Sequence, residues 1–283
     1  MAAALAASSI AYRRFGATAL ADEALANAQE IFTFARTHEG RYDTDGNIPV
    51  TGFYQSFSGY NDELIWAAAW IAKATGNADD IQRARDFYDS KGGAGYWYWS
   101  WDNKLLGVQV LMYELTGDSS YATTARGHID NVIASENRVG DLIYFHSWAA
   151  IRHSLNFSFL LAQATQSGMG SYMSTAQQQL NYALGQNSDQ QCYIVGYDEV
   201  SGASVNCPQN PHHRNSQCPA QGACNEQDPN PNTWKLYGAV VGGPSEDGVF
   251  VDDRTRYELT EVATDYNSGY QGLLAALIQG VGQ

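Results

Sequence analysis

Helix-like segments that end in a glycine recur along the N-terminal part of the chain, and they constrain its fold more than any other feature. Gly76, Gly117 and Gly168 each follow a helix-forming run and lie about 41 and 51 residues apart. A glycine after a helix ends it in the left-handed conformation, and this spacing is that of a helical hairpin. We therefore predict an all-α fold of helix pairs. The predicted helices are 2–13, 19–38, 61–75, 79–90, 102–116, 119–134, 147–166, 171–185 and 256–279.

A long irregular region separates the last two predicted helices. Residues 187–255 are rich in Asn, Gln, Pro and Cys. Loops of this length in compact domains are usually functional. Because no linker is visible, we expect a single domain over residues 1–283.

The overall composition favours a neutral, polyhydroxylated ligand. The net charge of −14 and the pI of about 4.6 leave no basic surface for nucleic acid. Seven Trp and eighteen Tyr accompany only 16% charged residues. No apolar stretch is long enough for a membrane span, so we expect no membrane partner. The N-terminus lacks a basic region before its apolar run, which argues against a signal peptide.

The four cysteines lie close together in the irregular region. Cys192, Cys207, Cys218 and Cys224 allow three disulfide pairings. Short loops close readily, which favours pairing Cys192 with Cys207 and Cys218 with Cys224. Clustered disulfides indicate an oxidising, secretory setting. A zinc site is the alternative, although no C-x₂-C pair occurs.

The segment Phe250–Ser268 reads FVDDRTRYELTEVATDYNS and concentrates acids and aromatics. Asp253 is a plausible helix N-cap, and Tyr257, Glu261 and Asp265 have the spacing of one helix face. An aromatic ring beside a carboxyl group in a partly dry cleft disfavours its charged form, as a general acid requires. An ordinary solvated acidic helix face is the alternative interpretation.

This segment resembles the C-terminal active-site signature of glycoside hydrolase family 9, the endoglucanase-type cellulases. The pattern of that signature is met at Phe250, Asp252, Tyr257, Glu261, Ala263, Asn267 and Ser268. The resemblance implies that Glu261 is the general acid that protonates the leaving glycosidic oxygen. It also implies that Asp252 supports the catalytic site without donating the proton, and that Tyr257 contacts the substrate.

A second family block is LNYALGQN, then CYIVGYDEV, then NPHHRN at 210–215. By this resemblance, His212 and Arg214 bind sugar next to the cleaved bond, and an Arg fork suits adjacent oxygens. The insertion Asp198–Gln209 departs from the family pattern. The alternatives are a metal pair or a structural loop, but adjacent histidines point in different directions.

Three upstream segments extend the resemblance: 53–76, 97–107 and 146–157. It implies that Tyr54, Trp97 and Trp148 are stacking platforms for glucose rings, since a flat ring binds the apolar face of a sugar. Ordinary core packing is the alternative for each ring.

A structural calcium site is also implied by the family resemblance, and no organic cofactor is. Its ligands would be oxygen donors, which suit Ca²⁺. A capped, acidic first helical turn is the alternative. The implied ligands are Ser58, Gly59, Asp62, Glu63 and Asp102.

The family fold is an (α/α)6 barrel, and the matched segments correspond to about its C-terminal two-thirds. The family's N-terminal DAGD motif, whose aspartates activate water, does not occur here. We therefore expect an incomplete barrel and a partial catalytic domain. The implied activity is inverting hydrolysis of β-1,4-glucosidic bonds in cellulose or related β-glucans, by a secreted protein that binds a polysaccharide or oligosaccharide. A catalytically inactive carbohydrate-binding relative and a helical solenoid without a sugar ligand are the alternatives.

Overall fold

The structure is a computed structural model that describes residues 1–44, 48, 50, 52–218, 225, 227, 228 and 230–281. The chain divides into two compact units, Met1–His128 and Ile129–Gln283. The expectation of one partial catalytic domain over 1–283 stays a prediction. No helix among the described residues has both the length and the apolar character needed to cross a membrane.

The first unit is helical and is built around one alanine-rich helix. Its helices are α1 (Ala2–Arg14), α2 (Thr18–Thr37), α3 (Asn61–Thr75), α4 (Ala78–Ser90) and α5 (Leu105–Thr116), and α6 (Ser119–Ser135) leads into the second unit. The central helix α3 contacts α1, α2, α4 and α5. Its small buried alanines let neighbouring helices approach, while Ile65 and Ile71 fill the space between them.

The second unit contains a small antiparallel hairpin, two long helices and several short ones. Its elements are β1 (Arg138–Val139), β2 (Leu142–Ile143), α7 (Ala150–Gln166), α8 (Met173–Ala183), α9 (Tyr197–Ser201), α10 (Arg214–Gln217), α11 (Tyr257–Thr260) and α12 (Thr264–Val281). Helix α7 lies against α8 and α12. Because 13 of its 17 residues are buried, α7 is the core helix of this unit.

Most of the predicted helices are confirmed to within a few residues at each end. Helix α3 has the predicted bounds 61–75, and Gly76 ends it with a left-handed φ of 66°. Gly117 ends α5 in the same way, with φ of 68°. These helices were predictable because apolar periodicity and glycine stops are local properties of the sequence.

The prediction of one helix over 256–279 is wrong at the point that matters most. Helix α11 ends at Thr260, Glu261 has an extended backbone with ψ of 145°, and α12 begins at Thr264. The break occurs because the backbone here pairs with remote segments. Glu261 forms a parallel bridge with His212, and Val262 forms an antiparallel bridge with Val241.

Two smaller expectations about helix starts are also wrong. Asp253 does not cap α11; its Oδ1 accepts hydrogen bonds from the backbone N–H and hydroxyl of Thr255, at 2.9 and 2.8 Å. Asp102 precedes α5, because its carboxylate binds the backbone N–H groups of Phe57 and Ser58.

Glycines on α12 allow it to lie very close to α7. A Cβ added at Gly269 would lie 2.6 Å from Cα and 2.7 Å from N of Asn156 on α7. Contacts this short with backbone atoms cannot be relieved by rotating a side chain. The packing of α12 on α7 therefore requires glycine at position 269.

We predict that Gly269→Ala destabilises the protein by about 1–3 kcal/mol, the usual cost of overpacking a core, despite the higher helix propensity of alanine. Urea unfolding measures this change. Gly127→Ala is the matched control, since Gly127 is exposed on α6 and an added Cβ meets nothing within 4 Å there. Equal stability of Gly269→Ala and wild type would contradict the close approach of the two helices.

Candidate active site

The two bridges around Glu261 bring three segments of the second unit together, those that contain His212, Val241 and Glu261 itself. The backbone N–H of His212 donates to the carbonyl of Thr260 at 2.8 Å. The segment that follows Val241 packs against the other side, and an added Cβ at Gly242 would lie 2.4 Å from the carbonyl oxygen of Glu258. Glu261 is therefore positioned by extended backbone with remote partners and not by a helix.

The carboxyl group of Glu261 is held at one oxygen. Its Oε2 accepts a hydrogen bond from Trp148 Nε1 at 3.0 Å and another from the Tyr266 hydroxyl at 2.7 Å. Trp148 Nε1 also donates to the Tyr266 hydroxyl oxygen at 3.1 Å. That contact occupies the hydroxyl as an acceptor and leaves its proton for Glu261. Glu261 itself is only partly buried.

Tyr266 is buried and remains protonated. It is 1% exposed, and burial raises the pKa of its hydroxyl, with a further rise from the neighbouring Glu261. The guanidinium of Arg152 lies over its ring at 4.6 Å and pairs with Asp265 at 2.8 Å. Tyr266 is thus a fixed hydrogen-bond donor to Glu261.

Exposed aromatic surface adjoins this carboxyl group. The rings of Trp148 and Tyr257 are 5.2 Å apart, and the His212 ring lies 5.9 Å from Tyr257. Tyr257 is 47% exposed. The structure therefore brings the predicted residues Trp148, His212, Tyr257 and Glu261 together.

The ring of His212 has a defined tautomer when it is neutral. Its Nδ1 lies 2.7 Å from the carbonyl oxygen of Arg254. A carbonyl oxygen can only accept, so Nδ1 carries the proton and Nε2 is the acceptor. Arg214 begins the short helix α10 and is exposed.

Asp252 organises the loop that leads to His212. Its two carboxylate oxygens accept hydrogen bonds from the backbone N–H groups of Gln209 and Asn210, at 2.7 and 3.0 Å. The side chain of Asn210 donates in return to the carbonyl oxygen of Asp252 at 3.1 Å. These contacts agree with a supporting role for Asp252.

Arg254 is a structural residue of the site that the sequence analysis missed. It is 3% exposed and donates to Asn232 Oδ1 at 3.0 Å and Asn210 Oδ1 at 2.7 Å. It also binds the carbonyl oxygens of Asp228 and Asn230. A buried arginine gathers loop carbonyls in this way because it has five donors and no acceptor. Its place inside the signature segment was the only available signal.

One of the two predicted disulfides is confirmed. Cys192 and Cys207 are joined, with 15 residues of separation. The predicted partner of Cys218 is Cys224, which lies outside the described residues.

A cavity of about 720 Å³ occurs elsewhere in the second unit. Its lining includes Asp141, Tyr182, Tyr193 and Phe250, and none of the predicted site residues. The faces of Tyr182 and Tyr193 are stacked on each other. Each of these two rings therefore has one face covered by the other.

The remaining predicted residues lie in the first unit. Tyr54 is 36% exposed, and its ring contacts Trp101 edge-on. Trp97 is 45% exposed and lies beside Tyr98. Both rings are thus partly exposed to solvent.

The predicted calcium ligands form a crowded acidic cluster. The carboxylate of Asp102 accepts from backbone N–H groups of Phe57 and Ser58, and Asp62 accepts from the backbone N–H of Lys104 at 2.7 Å. Burial and the adjacent Asp62 raise the pKa of Glu63 to about 8. Glu63 Oε2 is buried and has no hydrogen-bond partner among the described residues.

These residues offer the oxygen ligands that a hard cation prefers, but their side chains are not arranged as a complete coordination sphere. No three His, Cys, Asp or Glu side chains in the described part of the chain form a group that could hold a metal ion. Backbone and hydroxyl oxygens of Ser58 and Gly59 would have to complete the coordination of the cation. Glu63 Oε2, which is buried without a hydrogen-bond partner among the described residues, would be a further ligand.

Comparison with known proteins decides the family. The model of the family described as Glycosyl hydrolase family 9 matches residues 1–274. The chain belongs to this family. It is 34% identical over 281 residues to Endoglucanase B of Cellulomonas fimi, covering 91% of this chain and 26% of that protein. It is 35% identical to an Endoglucanase of Dictyostelium discoideum, covering 98% of this chain and 38% of that protein.

Solved structures of the family confirm the fold class. The endoglucanase of the termite Nasutitermes takasagoensis is 37% identical and superposes with a TM-score of 0.89 over 100% of this chain and 64% of its own. The CelQ endoglucanase of Clostridium thermocellum complexed with cellotriose has a TM-score of 0.79 at 30% identity, over 100% of this chain and 47% of its own. The fold is therefore that of the family's (α/α)6 barrels, and the chain spans well under two-thirds of most of these relatives.

We predict that Asp252→Asn destabilises this family 9 chain by about 1–3 kcal/mol, because an amide offers one acceptor oxygen in place of two and leaves a backbone N–H unpaired. Chemical denaturation measures the change. Asp253→Asn is the matched control, since Asp253 is exposed and uses one oxygen, which an asparagine retains. Equal effects of the two substitutions would show that Asp252 does not hold the His212 loop.

Proposed function

We propose that the protein hydrolyses β-1,4-glucosidic bonds in cellulose or related β-glucans, with Glu261 as the general acid. The proposal rests on the hydrogen bonds of the Glu261 carboxyl group, whose Oε2 accepts one from Trp148 and one from Tyr266. No described residue donates a hydrogen bond to Oε1. Family membership and the endoglucanase relatives support the same reaction.

The hydrogen bonds at Oε2 determine where the acidic proton lies. Both partners donate to Oε2, so a proton on the carboxyl group belongs to Oε1. Oε1 then protonates the glycosidic oxygen as the bond to the sugar breaks. Trp148 and Tyr266 also stabilise the carboxylate that remains after transfer, since hydrogen bonds to an ionised acceptor are the stronger ones.

The surroundings of Glu261 suit a glucose ring on either side of the cleaved bond. The partly buried ring of Trp148 and the exposed ring of Tyr257 provide apolar surface for the C–H face of a sugar. When its imidazole is neutral, His212 Nε2 accepts a hydrogen bond from a sugar hydroxyl. The exposed Arg214 donates hydrogen bonds to neighbouring hydroxyl oxygens of the sugar. Structures of relatives complexed with cellobiose and cellotriose support an oligosaccharide ligand.

The proposed stereochemical outcome is inversion, which needs a second carboxylate about 6.5–9.5 Å from the first to activate water. The family motif DAGD that carries such carboxylates does not occur in the 283 residues. This observation favours a second candidate function for the chain by itself, which is to bind β-glucan without cleaving it.

We also propose that the protein is secreted and that the cluster of Ser58, Gly59, Asp62, Glu63 and Asp102 takes a structural Ca²⁺. The Cys192–Cys207 disulfide supports an oxidising compartment. The buried, unpartnered oxygen of Glu63 supports the cation, since a divalent charge offsets the repulsion between neighbouring carboxylates.

We predict that Glu261→Gln lowers the rate of reducing-sugar release from a soluble cellulose derivative by about 10²–10⁴-fold, the usual contribution of a general acid. Gln keeps the Oε2-type acceptor but has no acidic proton. Glu246→Gln is the matched control, because Glu246 is an exposed acid of the same unit and should retain wild-type activity.

Calorimetric binding of cellotetraose, measured on the same samples, distinguishes the two candidate functions. Turnover by wild type that is lost only in Glu261→Gln supports hydrolysis. Binding by wild type and both variants without turnover supports the binding function. A folded chain that shows neither binding nor turnover would contradict both functions.

We predict that Ca²⁺ at about 100 times its dissociation constant stabilises the chain by about 2.7 kcal/mol. Differential scanning calorimetry in Ca²⁺ and in EDTA measures this gain. Glu63→Gln should lose it, whereas Glu23→Gln on the exposed face of α2 should keep it. An unchanged melting temperature in wild type would exclude the site.

A further inference from the structure

We propose that His153 is a positioning residue for the catalytic carboxyl group and that it acts as a neutral hydrogen-bond acceptor for Arg152. The proposal rests on the proposed function only for its catalytic consequence. Neither residue contacts Glu261 directly.

The contact between the two side chains has only one chemically sound form. Arg152 Nη2 lies 3.0 Å from His153 Nε2. A guanidinium has donors only and keeps its charge in proteins. His153 Nε2 must therefore carry a lone pair, which places the imidazole proton on Nδ1 and makes the ring neutral.

Burial enforces this neutral state. His153 and Arg152 are 4% and 5% exposed. Burial lowers the pKa of His153 well below its ordinary value, and the charge of Arg152 and the nearby His146 lower it further. The groups that face His153 are Arg152 on α7 and His146 on the preceding loop, whose ring is 5.9 Å away. Asp265 and Tyr266 of α12 contact Arg152, which in turn contacts His153.

From His153 the contacts lead to the acid in three steps. His153 accepts from one nitrogen of Arg152, and the other terminal nitrogen pairs with Asp265 at 2.8 Å. This two-point attachment places the guanidinium over the ring of Tyr266. Tyr266 then donates to Glu261 Oε2 at 2.7 Å. Without the acceptor at position 153, Arg152 has no buried partner on that side and the ring of Tyr266 loses its support.

Nuclear magnetic resonance of the full chain tests this assignment with two substitutions. His153→Leu removes the acceptor at similar volume, and His153→Gln restores an acceptor that cannot be protonated. The indole N–H of Trp148 reports on Glu261, because it donates to the same oxygen as Tyr266. We expect its resonance to shift in His153→Leu and to return close to the wild-type position in His153→Gln. An unshifted resonance in folded His153→Leu would overturn the proposal.

The wild-type protein provides a test that does not depend on the folding of a variant. The ¹⁵N shifts of the His153 ring should show a protonated Nδ1 and an unprotonated Nε2 at pH 7, and this state should persist well below pH 6.5. A proton on Nε2 at pH 7 would overturn the proposal.

The kinetic consequence is tested separately. In an active chain, His153→Leu should lower kcat about tenfold with little change in KM, and His153→Gln should recover most of the loss. Equal losses of kcat in both variants would overturn the positioning role. If wild type hydrolyses nothing, the hydrolytic function fails while the resonances of Trp148 and His153 still decide the positioning role.

Discussion

The pairing of the Glu261–Val262 backbone with two remote segments is the constraint on which the site depends. It stops α11 after one turn and turns the chain into extended backbone, so that Glu261 leaves the helix surface and meets Trp148 and Tyr266. The same pairing fixes His212 beside the acid. A helix continued through this point would break all of these contacts.

Local sequence properties predicted the helices well, and remote pairing explains where they failed. The bounds of α3 and its stop at Gly76 follow from residues within one helix. The extended conformation of Glu261 depends on His212 and Val241, which lie far away in the sequence. No periodicity within the segment indicates those partners, and the spacing of the acids even favoured a helix.

The proximity of Trp148, His212, Tyr257 and Glu261 was predictable through the family signature, but the residues that support them were not. Glu261, His212 and Trp148 were identified by position and do come together. Arg254 was missed because it acts by donating hydrogen bonds to backbone carbonyl groups of a loop, and no sequence pattern in that loop indicates this contact. His153 was missed because a histidine beside an arginine indicates nothing until both are seen to be buried.

The proposed reaction requires that the proton of Glu261 lie on Oε1 and face the glycosidic oxygen. A crystal structure of the Glu261→Gln chain with a bound cello-oligosaccharide tests it most directly. We expect a glycosidic oxygen about 2.6–3.2 Å from the side-chain atom that replaces Oε1, with Trp148 and Tyr266 bonded to the side-chain oxygen. A sugar bound with its glycosidic oxygen away from residue 261, or next to the oxygen held by Trp148, would contradict it.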